Sequence, residues 1–270
     1  MEYDVKYIRR PGLTRDLPHA PEDLLWVTNT ATLVHGERDA VLIDTFPTVE
    51  QNAELIEWVA DFGRRLTHVY ITHGHPDHFL GLGQLQKAFP GVRVVATKAT
   101  VEHAATQNIE RWRSLFPGGI TEQVVLPDVL DDDVIEVEGE QLKIIETGFT
   151  DTTGSTAIWA PLQRLLVAGD GVYNDTHVFQ GETTAERRRG WIATVERLHR
   201  LKPAAVVAGH KNPDRPDDPA ILDETATYLR DFEALATATS SAEELYDAML
   251  QRHPRRLNPG SLWGAAQRFG

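Results

Sequence analysis

The sequence predicts a mixed α/β (α+β) fold in which two packed β-sheets are covered by helices on their outer faces. Two observations lead to this prediction. Short apolar or alternating runs, which are typical of strands, occur in two batches, and helical patterns follow each batch. The 270 residues contain no linker, low-complexity tract or repeat of about 20–50 residues that would indicate a different organisation.

The first batch begins with Tyr3, Val5 and Tyr7, which alternate with charged residues as in a half-exposed strand. The run Thr48-Val49-Glu50-Gln51 matches a capping box, so we expect a helix to begin there and to end near Gly63. A second helix is predicted over residues 80–89. The predicted strands of this half are residues 3–7, 24–28, 30–34, 40–44, 69–71 and 92–96.

The second batch is dominated by hairpins, the clearest of which turns at Glu138-Gly139-Glu140. Its predicted strands are residues 134–137, 142–146, 156–159, 165–168 and 205–208. Helices are predicted over residues 100–116, 184–201, 216–239 and 242–252. We expect residues 1–215 to form the main domain, with 216–270 as a helical extension. This extension either packs on the same domain, which we favour, or caps the site.

Composition limits the function. The formal net charge of −13 disfavours binding to the phosphate backbone of nucleic acids. The chain has no cysteine, which excludes disulfides, thiolate metal ligands and a thiol nucleophile. The N-terminus has no apolar signal-like region, and no run approaches the roughly 18 apolar residues of a membrane span. A cytoplasmic protein without a membrane partner is therefore expected.

The segment 72–78, Thr-His-Gly-His-Pro-Asp-His, is the strongest functional pattern in the chain. His73, His75, Asp77 and His78 lie within six residues, directly after the apolar run 69–71. Imidazole and carboxylate are ligands that suit zinc, iron or manganese. In a tight loop the first two histidines point to one side, whereas Asp77 and His78 point to a second position. One loop can therefore serve two neighbouring metal ions.

This H-x-H-x-D-H loop resembles that of the metallo-β-lactamase-fold superfamily, and later landmarks occur in the matching order. Three apolar runs end in Asp44, Asp170 and His210. The resemblance implies a four-layer αββα sandwich with two metal sites. It implies that Asp44 hydrogen-bonds the motif loop and that Asp170 bridges the metals. It assigns His73, His75 and a mid-chain histidine to the first site, and Asp77, His78 and His210 to the second.

The mid-chain histidine is missing. The matching segment is residues 146–155, and the residue at the expected histidine position is Phe149, which cannot bind a metal. We therefore expect the second site to hold metal better than the first. Asp151 either reaches the first site instead or has an ordinary Asx-turn role, and the turn role is favoured.

Four further residues are candidates for contact with substrate. Phe149 stands at the first site, and Tyr173 and His177 follow Asp170 closely. Lys211 follows His210 and is able to attract an anion. Each has a simpler alternative, because packing tyrosines, loop histidines and solvated lysines are common.

The leading hypothesis is a metal-dependent hydrolase of a small-molecule ester, lactone, amide or phosphoester. A metal-bound hydroxide would attack, with Asp77 or Asp170 orienting the water. The cofactor would be one or two divalent ions, with zinc favoured over iron or manganese. The alternatives are a non-hydrolytic iron, redox or lyase-type enzyme of the same fold, or a degenerate metal-binding paralogue. Substrate and oligomeric state, including a homo-oligomer, are left open.

Overall fold

The computed structural model describes residues 1–9, 17–19, 24 and 27–269. Its strands are β1 (Glu2–Ile8), β2 (Asn29–His35), β3 (Asp39–Ile43), β4 (Arg65–Tyr70), β5 (Arg93–Ala96), β6 (Asp128–Val129), β7 (Val134–Val137), β8 (Glu140–Gly148), β9 (Ser155–Ala160), β10 (Leu165–Val167), β11 (Tyr173–Asn174), β12 (Ala205–Val207) and β13 (His210–Lys211).

The helices are α1 (Val49–Asp61), α2 (Pro76–Phe79), α3 (Leu82–Ala88), α4 (Lys98–Ala105), α5 (Ile109–Leu115), α6 (Ala185–His199), α7 (Ala220–Ala238), α8 (Ala242–Arg252) and α9 (Pro259–Ala266). A short 3-10 turn, Gly169–Gly171, lies between β10 and β11. Within the described residues, no helix is both long and apolar enough to cross a membrane.

The strands form two sheets. The larger has the order β11-β13-β2-β3-β4-β5-β6, with β1 paired to β2, and its β3 to β6 run parallel. The smaller has the order β12-β10-β9-β8-β7 and is antiparallel except between β10 and β12. Parallel neighbours bring their carboxyl ends to one edge, which is where loops bearing functional side chains collect.

Three apolar clusters define the layers. The central cluster lies between the sheets and joins residues such as Val41 and Tyr70 of the larger sheet to Ile144 and Val207 of the smaller. A second cluster packs the larger sheet against α1 and α3. The third packs the smaller sheet against α6 to α9. Helices therefore cover both outer faces, and the predicted four-layer αββα sandwich is confirmed.

Local sequence signals predicted the ends of several helices and strands accurately. Thr48 caps α1, and its hydroxyl accepts the backbone N–H of Gln51 at 3.3 Å, as a capping box requires. The hairpin of β7 and β8 turns at Glu138 and Gly139, both with positive φ. The single helix predicted over 100–116 is instead two helices, because Asn108 caps α5 and begins a new one. Part of the strand predicted over 24–28 lies outside the described residues, and Val27 and Thr28 are not in a strand.

The C-terminal helices bury large side chains in the same cluster as the smaller sheet. Phe232 of α7, Met249 of α8 and Leu262 of α9 are all fully buried there, with Trp191 of α6. Helix α9 was not predicted, because its Gly-rich sequence has weak helical propensity. It also lines the cavity described below, so the extension both packs on the sheet and borders the site.

Candidate metal centre

Histidine and aspartate side chains from five segments converge at one edge of the sandwich. His73 and His75 come from the loop after β4, and Asp77 and His78 from α2. The remaining segments are the turn after β8, the 3-10 turn after β10 and the start of β13. The first ligand group is His73, His75, Asp151 and Asp170; the second ligand group is Asp77, His78 and His210. Within each group the nitrogen and oxygen atoms lie within 4.8 Å of one another.

Asp151 completes the first ligand group. Its Oδ2 lies 2.9 Å from Nδ1 of His75 and 3.8 Å from Nε2 of His73. The side chain is fully buried. The position that the sequence analysis assigned to Phe149 is therefore taken by Asp151, two residues later, and the favoured Asx-turn reading understated its role.

Asp170 lies between the two groups. Its Oδ2 is 3.0 Å from Nε2 of His210, and its Oδ1 is 3.4 Å from Nε2 of His78. Asp77 approaches the same histidines, with its Oδ2 3.6 Å from Nε2 of His210. Gly209 has to be a glycine, because a Cβ there would lie 2.1 Å from Oδ1 of Asp170. The backbone therefore makes room for the carboxylate.

A cation fits both ligand groups. Among the described residues, buried atoms without a hydrogen-bond partner include Nε2 of His73, Nε2 of His78, Oδ2 of Asp151 and Oδ1 of Asp170. Leaving such atoms unsatisfied in the interior is costly. All four atoms belong to the two ligand groups, where a divalent metal would satisfy them together.

The charges of the centre depend on one another. Burial opposes charge on His78, but Asp170, Asp77 and Asp44 raise its pKa to about 10. Burial would raise the pKa of Asp170, yet His210 and His78 hold it well below its ordinary value. Without metal, protons on histidines therefore balance the carboxylates. A bound metal would take over that role and release the protons.

Hydrogen bonds from surrounding residues orient several of these side chains. Asn29 donates from Nδ2 to Oδ2 of Asp77 at 2.9 Å. Tyr173 donates its hydroxyl to Oδ2 of Asp170 at 2.7 Å. Glu182 lies with Oε1 3.2 Å from Nε2 of His75. Such outer contacts fix the orientation of a ligand side chain.

Three of the four residues predicted to contact substrate lie away from the cavity. The fourth, Tyr173, contacts a carboxylate of the centre. The ring of Phe149 packs under the guanidinium of Arg187, 4.1 Å from the ring centroid. His177 is buried against the hydroxyl of Tyr228 at 3.0 Å. Lys211 is paired with Asp217 at 2.6 Å and is not available to an anion. Tyr173 is fully buried and contacts Asp170 rather than the cavity.

A cavity of about 490 Å³ opens above the centre. His75, Asp77, Asp170 and His210 lie at its floor. Its walls come from α5, α9 and the segment around Phe179, and include residues that sequence reasoning missed, such as Arg111 and Glu182. Arg111 had no recognisable signal. Asp151 had one, because the Asp151-Thr152 pair keeps the threonine that follows the family's histidine.

Comparison with known families and structures agrees with this architecture. The sequence profile of the metallo-beta-lactamase superfamily matches residues 24–210. A metallo-beta-lactamase from Pontibacter korlensis has a TM-score of 0.62 at 24% identity, over 78% of this chain and 91% of that one. A metallo-beta-lactamase family protein from Thermus thermophilus has a TM-score of 0.66 at 20% identity, over 98% of this chain and 91% of that one.

Two curated proteins share shorter segments. A segment of 67 residues is 39% identical to an atrochrysone carboxyl ACP thioesterase of Pseudocercospora fijiensis (strain CIRAD86), covering 24% of this chain. A segment of 77 residues is 34% identical to a hydroxyacylglutathione hydrolase of Stenotrophomonas maltophilia (strain R551-3), covering 28% of this chain. The matches span only 20% and 28% of those relatives' lengths.

Proposed function

The chain belongs to the metallo-β-lactamase superfamily, and from that premise we propose that it is a metal-dependent hydrolase of a small-molecule acyl compound. One observation carries the proposal. Seven histidine and aspartate side chains form two adjoining groups, four of them line the floor of a cavity, and several of the buried ligand atoms are unsatisfied. These atoms lie close to one another but do not form hydrogen bonds of good geometry among the described residues, whereas a purely structural cluster would satisfy them.

The ligand assignments follow the two groups. His73, His75 and Asp151 would hold one divalent metal, and Asp77, His78 and His210 a second, with Asp170 shared. When bound, such metals lower the pKa of water and polarise a substrate oxygen. The metal is proposed as zinc, iron or manganese, since imidazole and carboxylate suit all three.

The protein's own residues position the reactants. Asp77 and Asp170 both face the cavity, so their carboxylates would orient an attacking water. Tyr173 holds Asp170 through its hydroxyl, and Asn29 holds Asp77. Neither carboxylate is therefore free to rotate away from the ligand groups. The acyl substrate would bind above them, with its carbonyl directed to the floor.

Esters and thioesters are the first substrates to examine. The two curated relatives are named as a thioesterase and as a hydrolase of a hydroxyacyl compound, which supports acyl chemistry. Lactones, amides and phosphoesters fit the same water-activating centre and complete the panel.

The test is hydrolysis by protein that has been stripped with a chelator and reloaded with zinc, manganese or iron. Metal-dependent hydrolysis of an ester or thioester is expected, and Asp77→Asn should reduce it by about 10² to 10⁴, the range for loss of a positioned catalytic group. His199→Ala, in the last turn of α6, is the matched control and should retain activity. Reloaded protein that binds metal but hydrolyses none of the panel would overturn the proposal.

A further inference from the structure

We propose that Asp151 is a metal ligand and that it makes the first ligand group a two-histidine, two-carboxylate site with a shifted metal preference. This inference rests on the proposed function for its metal centre but concerns which metal the centre prefers. Three histidines and a shared aspartate would present three neutral nitrogens. Here one nitrogen is replaced by an anionic oxygen. Oxygen-rich sites suit harder metals such as manganese(II), whereas nitrogen ligands favour zinc.

Burial supports the assignment. Asp151 has no solvent exposure, and its Oδ2 lies 2.9 Å from Nδ1 of His75 without the geometry of a good hydrogen bond. Its Oδ1 accepts the hydroxyl of Thr150 at 3.0 Å, which leaves Oδ2 directed at His73 and His75. An ionised carboxylate is costly to bury without a compensating charge. A metal held jointly with the two imidazoles would supply that charge in place of a histidine proton.

A second carboxylate, that of Glu182, fixes the orientation of the His75 ring. Glu182 lies 3.2 Å from Nε2 of His75, whereas Asp151 lies beside the other ring nitrogen. Since a carboxylate only accepts, Nε2 of His75 must carry the proton, and a neutral ring then presents Nδ1 to the metal. Thr152 donates to the other oxygen of Glu182 at 2.6 Å and so holds it in place. The residue after Asp151 thus helps to orient His75.

Metal content tests this inference without any measurement of hydrolysis. The unaltered protein, dialysed against zinc or manganese, should hold two metals per chain by plasma mass spectrometry. Asp151→Ala should hold about one fewer. Asp128→Ala removes an exposed aspartate of β6 and is the matched control, with unchanged content. Two metals retained in Asp151→Ala would overturn the assignment.

Metal competition tests the preference. With equimolar zinc and manganese, Asp151→His should raise the ratio of bound zinc to manganese by roughly tenfold or more, because a nitrogen replaces an oxygen ligand. An unchanged or lower ratio would overturn the preference.

Asp151→Asn keeps the side-chain shape, and circular dichroism of all variants separates metal loss from misfolding. Asp151→Asn should fold and bind metal at least roughly tenfold more weakly. If these results are obtained and no hydrolysis is found, the assignment of Asp151 stands and only the proposed function is overturned.

The cavity carries a second, independent inference. We infer, on the basis of the proposed function, that it accepts an acyl compound with an apolar chain and an anionic group. Val27, Leu115 and Phe179 contribute apolar surface to its walls. Arg111, an exposed residue, also lines it, and among the described residues no acidic side chain lies within 4.0 Å of its guanidinium. A guanidinium without an acidic partner among the described residues, close to apolar wall residues, is suited to a carboxylate or phosphate.

Helix α9 leaves room for such a ligand. Gly260 and Gly264 lie one helical turn apart and both line the cavity. A Cβ added at Gly264 would meet no heavy atom within 4 Å. The two positions without side chains therefore leave open space in this part of the cavity wall. Glycine otherwise weakens a helix, so we attribute the glycines at these positions to the space that they leave for a ligand.

Calorimetric binding of two amides to the metal-loaded protein tests the inference. The probes are octanamide and 8-amino-8-oxooctanoate, which adds a terminal carboxylate. The charged probe should bind about tenfold or more tightly, and Arg111→Gln should remove that advantage while leaving octanamide unaffected. Arg189→Gln, an exposed arginine of α6, is the matched control. Gly264→Phe should weaken both probes. Equal binding of the probes, an unchanged preference in Arg111→Gln, or undiminished binding in Gly264→Phe would overturn the inference.

Discussion

The carboxylate of Asp44 lies 3.1 Å from Nδ1 of His78 and accepts both the backbone N–H and the hydroxyl of Thr72. Because a carboxylate only accepts, Nδ1 of His78 carries the proton and Nε2 is presented to the second ligand group. Asp44 has a φ of 63°, in the left-handed region that aspartate tolerates better than most residues. One side chain therefore joins the end of β3 to the loop that carries the histidines.

Replacing Asp44 by alanine should weaken metal binding by about 10- to 100-fold, because the orientation of His78 is lost. It should also lower the free energy of unfolding by about 1–3 kcal/mol, since the partners of a buried carboxylate are left unsatisfied. Metal titration and urea denaturation measure the two effects. Asp61→Ala, on the exposed side of α1, is the control. Unchanged metal affinity in Asp44→Ala would contradict the orienting role.

Trp191 should stabilise the turn that carries Asp170. Its buried indole N–H donates to the carbonyl of Gly171 at 2.8 Å. Trp191→Phe keeps most of the apolar volume but leaves that carbonyl without its partner, so we expect a loss of about 1–3 kcal/mol in the free energy of unfolding. Trp58→Phe, a half-buried residue of α1, is the matched control. Equal losses in the two variants would show that the hydrogen bond is unimportant.

His177 should make the fold sensitive to acid. Burial, aided by Arg256 and His253, lowers its pKa to about 3 from the ordinary value of 6.5. Between these values the unfolded chain binds a proton that the folded chain does not. This contribution to stability is therefore complete above pH 6.5 and is lost as the pH falls, by about 1.4 kcal/mol for each pH unit.

The comparison of the unaltered protein with His177→Asn isolates this effect. Urea denaturation at several values between about pH 4.5 and 6.5 should show a shallower decline for the variant, because asparagine does not titrate. His19→Asn, at an exposed position, should follow the unaltered protein. Parallel declines for His177→Asn and the unaltered protein would contradict the buried neutral histidine.

We propose that residues 1–215 and 216–270 unfold together, because Phe232 of α7 is buried in the cluster that also contains Trp191. Phe232→Ala should lower the free energy of unfolding by about 3–5 kcal/mol and should keep one transition. Leu162→Ala, at a side chain that is 77% exposed, should change it by less than about 0.5 kcal/mol. Two separate transitions in denaturation would show that the extension is an independent unit.

Local sequence patterns predicted much of the fold. The cap at Thr48 and the turn at Glu138-Gly139 depend on contacts within a few residues, so their sequence is enough to place them. The spacing of His73, His75, Asp77 and His78 likewise places four candidate ligands on one short loop. The resemblance then supplied Asp170 and His210, which lie beside that loop as expected. Their role as ligands remains part of the proposal.

The sequence by itself determined the two batches of strands, the helices with clear periodicity and the ligand loop. Only the tertiary structure placed Asp151 rather than Phe149 beside His75, paired Lys211 with Asp217 and brought Arg111 to the cavity. The reason is physical. Caps, turns and loop spacing are fixed by neighbouring residues. A site assembled from separate segments depends instead on which segments the fold places next to one another. Packing between the layers of the sandwich brings these separate segments together, and no pattern within a few residues predicts that packing.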